Sequence, residues 1–137
     1  MKIAIVGTSH VRKEDEEEIE KLIHSIIDGW DFQTTTFISG GAKGVDAMAM
    51  DIAHNVGYRT VIHRPNSMDW PGFKARNTRI AKACDKLYCI STPIRDTPCY
   101  HHMQEEITRP DHQKTAGCWT MNIALKLKKP CTLLVTS

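Results

Sequence analysis

The sequence lacks any run approaching the roughly 18 uninterrupted apolar residues of a membrane-spanning helix. Its amino-terminal stretch MKIAIVGTSH carries one lysine before a very short apolar run and no small-residue cleavage site, which excludes a secretory leader by pattern and makes the cytoplasm the expected location. Charge of one sign is also scarce: 18 Lys and Arg against 16 Asp and Glu leave a net charge of +2. That balance gives no global pull toward an anionic membrane or nucleic acid, so any anion recognition must be local. Internal repeats, low-complexity linkers and a basic stripe interleaved with aromatics are absent as well.

What is present is an ordinary globular composition, 41% hydrophobic and 25% charged over 137 residues, enough for one domain with a core. Five cysteines and seven histidines are many for that length. The apolar pattern alternates between two periods. KIAIVG (2–7), TTTFIS (34–39), YRTVIH (58–63), DKLYCIS (85–91) and PCTLLVT (130–136) read as buried strands. Between them Ile19, Leu22, Ile23, Ile26, Ile27 and Trp30 recur at helical spacing. So do Val45, Met48, Ala49, Ile52, Ala53 and Val56, then Phe73, Ile80, Ala81 and Cys84, and finally Trp119, Ile123, Ala124 and Leu127. The alternation predicts an α/β, Rossmann-like fold with an open, parallel, five-stranded sheet and helices on both faces, in three layers. A single domain over 1–137 is expected, broken by a Cys/His-rich insertion at about 92–114.

Ligands of such sheets bind beyond the carboxyl ends of the strands. The most informative segment there is Ser39-Gly40-Gly41-Ala42-Lys43-Gly44-Val45-Asp46, between a strand and a helix. Its glycines let backbone amides approach a ligand, and the following helix offers free N–H groups to a phosphate. A glycine-rich turn tightened for packing is the other reading. The pattern is neither the P-loop GxxxxGKS/T nor GxGxxG after the first strand. The first helix opens with Glu14 to Glu18, which would repel a pyrophosphate, so an anion belongs on the second helix. Asp46 reads either as an orienting group for a sugar hydroxyl or as a solvated helix residue. Arg76 and Asn77 read either as a phosphate and base-edge grip or as a surface pair. Trp70 reads as a base platform or as packing under a loop, and Gly7, Thr8 and Ser9 stand near the same edge.

SGGAKGVD, the KARN of residues 74–77, DKLYCI and AGCWTMNIALKLKKPCTLLV together resemble the SLOG superfamily of Rossmann-like domains, which includes the DNA-processing protein A and lonely-guy families. The resemblance implies a nucleotide or nucleotide-derived ligand across the carboxyl edge, held by the glycine-rich loop, by Arg76 and Asn77, and by Gly117 to Thr120 at the start of the last helix. It makes the expected role a nucleotide-binding sensor or processing protein, with two alternatives: a nucleoside monophosphate phosphoribohydrolase and a single-stranded DNA-binding protein. The hydrolytic members carry a Glu in a PGGxGTxxE element, whereas Thr115 to Asn122 here contains no carboxylate, so the usual acid or base is missing and catalysis stays open. The low net charge speaks against nucleic acid as a partner. Association between copies of the chain is left open.

Within and beside the insertion, Cys99, His102, His112 and Cys118 can supply the two sulfur and two nitrogen ligands of a structural zinc. An unmetallated loop, with Cys118 simply packed or reactive at a helix start, is the alternative. Cys84, Cys89 and Cys131 fall on core positions. On the second helix Met48 is expected inside and Met50 outside.

Overall fold

The computed structural model of the chain describes residues 1–93 and 115–137. Within them the elements run β1 (Lys2–Gly7), α1 (Lys13–Asp28), β2 (Thr36–Ser39), α2 (Val45–Val56), β3 (Arg59–Ile62), α3 (Trp70–Ala83), β4 (Lys86–Ser91), α4 (Ala116–Lys126) and β5 (Cys131–Val135). The five strands form one sheet in the order β3-β2-β1-β4-β5, and every pairing is parallel. This is the expected Rossmann-like architecture. From residue 94 onward the insertion lies outside the described residues.

Alternation along β1 builds both layers at once. Ile3 and Ile5 point to one face, where they meet Ile19, Ile23, Ile26 and Ile27 of α1 and Val45, Ala49, Met50 and Ala53 of α2. Ala4 and Val6 point to the other, against Ile80 and Ala81 of α3 and Cys118, Met121 and Ala124 of α4. A strand covered on both sides must be apolar throughout, and each fully buried isoleucine contributes roughly 1.5–3 kcal/mol. Tyr58 ties into the last turn of α1: its hydroxyl donates to the carbonyl of Ile27 at 2.7 Å.

The methionine expectation is reversed. Met50 is buried at 2% exposure, and Met48 is only partly covered. The inward stripe of α2 includes Asp46, and Met50 stands one turn after it on the same side. Gly57 ends α2 in the left-handed conformation, φ 108°, with its amide returned to the carbonyl of Ala53.

The connection from β3 to β4 jumps past β2 and β1, placing α3 and α4 on the face opposite α1 and α2. The strand order therefore reverses between β1 and β4. At that reversal the start of α4 packs directly on the end of β1: a Cβ on Gly117 would lie 2.7 Å from the Gly7 Cα.

Candidate nucleic-acid interface

Asp46 sits in the first turn of α2 and points inward. Its Oδ1 accepts from the Gly7 amide at 3.2 Å and its Oδ2 from the Gly40 amide at 3.3 Å, so one carboxylate joins the ends of β1 and β2. Burial pushes its pKa up to about 6, against the opposing pull of the Ser39 hydroxyl, the Arg76 guanidinium and those two amides. Ser39 in turn donates to the Ile5 carbonyl at 2.6 Å. With each oxygen accepting from a backbone amide, Asp46 is a brace for the loop.

The glycine-rich loop is shaped by what surrounds it. Gly44 has φ +83°, and a side chain there would run into the backbone of Thr8 and Ser9. The Thr8 carbonyl accepts from the Val45 amide at 3.0 Å, so the first turn of α2 gives one of its free N–H groups to the loop after β1. Gly7 and Thr8 are buried while Ser9 is exposed. In the loop, Gly40 is buried, Gly41, Ala42 and Gly44 are half-buried, and Lys43 is exposed.

Arg76 and Asn77, on α3, are 5% and 4% exposed, which excludes a surface pair. Arg76 donates from Nη1 to the Gly40 carbonyl and from Nε to Oδ1 of Asn77, the latter at 2.6 Å, and its guanidinium lies 5.7 Å from the Phe73 ring centre. The first bond bolts α3 onto the loop, and the second, within α3, fixes the guanidinium for it. The Asn77 Nδ2 is buried and has no hydrogen-bond partner among the described residues.

Around this buried frame stand cations that reach solvent. Arg79 follows Arg76 by one helical turn and donates to the Arg64 carbonyl at 2.9 Å. Arg64 leaves β3 beside the loop: a Cβ on Gly41 would lie 3.6 Å from its Nη1. Burial and the nearby Arg79 and Arg76 hold His63 below its ordinary pKa. Lys43, Arg64, Arg76 and Arg79 therefore gather at the carboxyl end of β2 and β3. The ion pairs found among the described residues, Arg12–Glu14 and Lys21–Glu17, both lie elsewhere. Asp69 is close, but it is spent on the start of α3, accepting from the Gly72 amide at 2.9 Å and from the Ser67 hydroxyl at 2.6 Å. The acidic start of α1 stands at the β1 end, as the sequence pattern implied.

Trp70 opens α3 and meets Trp119, in the first turn of α4, edge to face at 5.5 Å between ring centres. Trp119 is buried and Trp70 is 48% exposed, so the second ring is held by the first while keeping a surface toward solvent. Gly117 and Thr120 lie in that same first turn, both buried, and the Thr120 hydroxyl donates to the Ala116 carbonyl at 3.0 Å. The Arg64–Arg79 contact and the Trp70–Trp119 pair escaped sequence reasoning. The usable signal was that Arg64 and Arg79 both fall near the segment following β3.

Of the zinc candidates, Cys99, His102 and His112 lie outside the described residues. Cys118 is fully buried in the α3/α4 core, and its amide donates to the Thr115 hydroxyl at 3.1 Å. No cluster of three metal-ligating side chains occurs among the described residues, and no helix there is long and apolar enough to cross a membrane.

Comparison with solved structures finds this fold in DNA processing protein A of Helicobacter pylori, at 17% identity and a TM-score of 0.67, over 100% of this chain and 66% of that one. The Streptococcus pneumoniae DNA processing protein A matches at 18% identity and TM-score 0.70, over 99% of this chain and 50% of that one. The structural-genomics target TM1055 matches at 16% and 0.62, over 95% of this chain and 71% of that one. The chain thus spans between half and two thirds of the length of the two DNA processing proteins. No curated protein matches its sequence.

The Helicobacter protein is described by its single-stranded DNA binding mode. That overturns the expectation that the low net charge speaks against nucleic acid as a partner. The physical reason is that a net charge of +2 averages the whole surface, while the fold collects arginines at one edge and leaves the glutamates on α1. The family model for DNA recombination-mediator protein A matches residues 1–104, and the chain belongs to that family.

Proposed function

We propose that this chain binds single-stranded DNA at the carboxyl edge of β2 and β3. Backbone phosphates lie along Lys43, Arg64 and Arg79, and an unstacked base rests on the exposed face of Trp70. The observation that carries this reading is that solvent-reaching cations from three segments, Lys43 of the glycine-rich loop, Arg64 after β3 and Arg79 of α3, stand at the edge where the braced ring of Trp70 opens α3. A cationic track with an aromatic platform is what sequence-tolerant binding of single strands requires, since every phosphate is an anion and every base has a π face. The description of the Helicobacter relative agrees with it. Arg76 acts from beneath: it fixes the loop and adds its charge without leaving the interior.

Fluorescence anisotropy with a labelled oligothymidylate tests this reading. Saturable binding that weakens steeply with salt, and is competed better by single strands than by duplex, supports it; no binding at low salt overturns it.

A second reading has its own observation. The unpartnered Asn77 Nδ2, on the amide whose oxygen accepts from Arg76, is a buried donor of the kind a nucleotide or nucleotide-derived ligand would satisfy. A mononucleotide panel in thermal-shift assays separates the two, because a free nucleotide should then stabilise the chain with no oligonucleotide present. For N-glycosidic cleavage, the carboxylate of Asp46 beside the loop is already bound to two backbone amides.

A further inference from the structure

β3 ends the sheet, and among the described residues its outer edge faces no strand. Its register against β2, with Ile38 beside Val61 and the His63 amide donating to the Ser39 carbonyl at 2.8 Å, turns the backbone groups of Arg59, Val61 and His63 inward. Thr60 and Ile62 consequently direct their N–H and C=O groups outward. Edge strands of α/β sheets are ordinarily blunted by charge or cover. Here the centre of the edge carries Val61 and Ile62, 45% and 39% exposed, with Arg59 before them and Arg64 after. Ile62 also touches the glycine-rich loop, since a Cβ on Gly41 would lie 2.6 Å from its Cγ2.

We infer that β3 is a docking edge for an extended acidic segment of a partner protein, which adds a sixth strand by pairing with Thr60 and Ile62. A second copy of this chain fits poorly. Only outward residues can pair with outward residues, so self-pairing sets Thr60 against Ile62 of the other copy and Arg59 against its His63. Four arginines then meet at the joint with no carboxylate from either strand. A partner of the form acidic-x-apolar-apolar-x-acidic covers Val61 and Ile62 and neutralises both ends. That pattern is nearly the same read in either direction, so it serves a parallel or an antiparallel addition. The inference is independent of DNA binding, although Arg64 stands at both surfaces.

The test is an amide NMR titration of the whole chain with the peptide acetyl-Glu-Thr-Val-Val-Thr-Glu-amide at concentrations up to millimolar, with a Lys-ended peptide as control. Saturable shifts centred on the Thr60 and Ile62 amides, at least fivefold tighter for the Glu peptide, are expected. Thr60→Pro deletes an outward N–H without touching the β2 ladder and should weaken binding at least fivefold. Should that variant fail to fold, Arg59→Glu supplies the second arm: it leaves one cation and one anion at the two ends of the edge and should erase the preference between the two peptides. In the wild type, equal shifts from both peptides or none from either overturns the proposal, as does peptide binding indifferent to the variants. So does a concentration-dependent dimer that Thr60→Pro abolishes, which would make the occupant a second copy. Oligothymidylate binding should be unchanged in Thr60→Pro.

Discussion

Asp46 and Arg76 hold Gly40 from opposite sides, the carboxylate accepting from its amide at 3.3 Å and the guanidinium donating to its carbonyl. One lies on the α1/α2 face and the other reaches in from α3, so the glycine-rich loop is clamped through the sheet. Asp46→Asn replaces one accepting oxygen with an N–H donor facing a backbone N–H. Urea unfolding should show a loss of about 1–3 kcal/mol, the cost of a buried unsatisfied group.

The same residue gives a pH signature. In the folded chain Asp46 takes up its proton near pH 6, whereas its unperturbed value is 3.8. Between those values the folded state binds a proton that the unfolded state does not, so this group stabilises the fold as pH falls from 6 toward 4. His63, with its lowered pKa, acts in the opposite sense as pH falls through its ordinary range of about 6.5. The comparison that isolates Asp46 is therefore wild type minus Asp46→Asn. Across pH 6 to 4 that difference should change with a slope of up to about 1.4 kcal/mol per pH unit, the wild type gaining at the acid end. A flat difference would mean the carboxyl is ionised in place like any exposed one.

Gly117→Ala would push a methyl group into the backbone of β1, 2.7 Å from the Gly7 Cα, where no flexible side chain can yield. Overpacking of this kind costs about 1–3 kcal/mol, and thermal unfolding should reveal it. Gly57→Ala meets nothing within 4 Å and bears only the left-handed backbone penalty, about 1 kcal/mol, so the two variants rank the packing cost against the conformational one.

Much of the architecture was legible because strands covered on both faces, such as IAIV of β1, cannot be written with polar residues, and because the helical stripes between them are regular. Loop geometry was less so. The sequence of the SGGAKG segment is compatible with a phosphate cradle and with a clamped turn, and only the contacts of Asp46 and Arg76 distinguish which groups remain free. The interior position of Arg76 was hidden because an arginine is rarely fully buried without a partner. Its partners, the Gly40 carbonyl and Asn77, are a backbone atom 36 residues away and an adjacent amide. Trp70 posed the reverse problem. Its exposure depends on Trp119, which arrives from α4, and no local spacing announces that pair.

Trp70→Ala should leave stability nearly unchanged, since half of the ring already faces solvent, while weakening oligothymidylate binding by about 1–3 kcal/mol, roughly five- to 150-fold. Equal affinity in the variant would remove the base platform from the account.

The central claim is that phosphates are held at the β2/β3 carboxyl edge, and its most direct measurement is the salt dependence of oligothymidylate affinity in wild type and in Lys43→Glu/Arg64→Glu/Arg79→Glu. Each phosphate neutralised on a single strand contributes about 0.7 to the slope of log Kd against log salt. The account predicts a slope shallower by about 2 in the triple variant, with a folded chain confirmed by its thermal unfolding. An unchanged slope and affinity would contradict it, placing the phosphates on some other part of the surface.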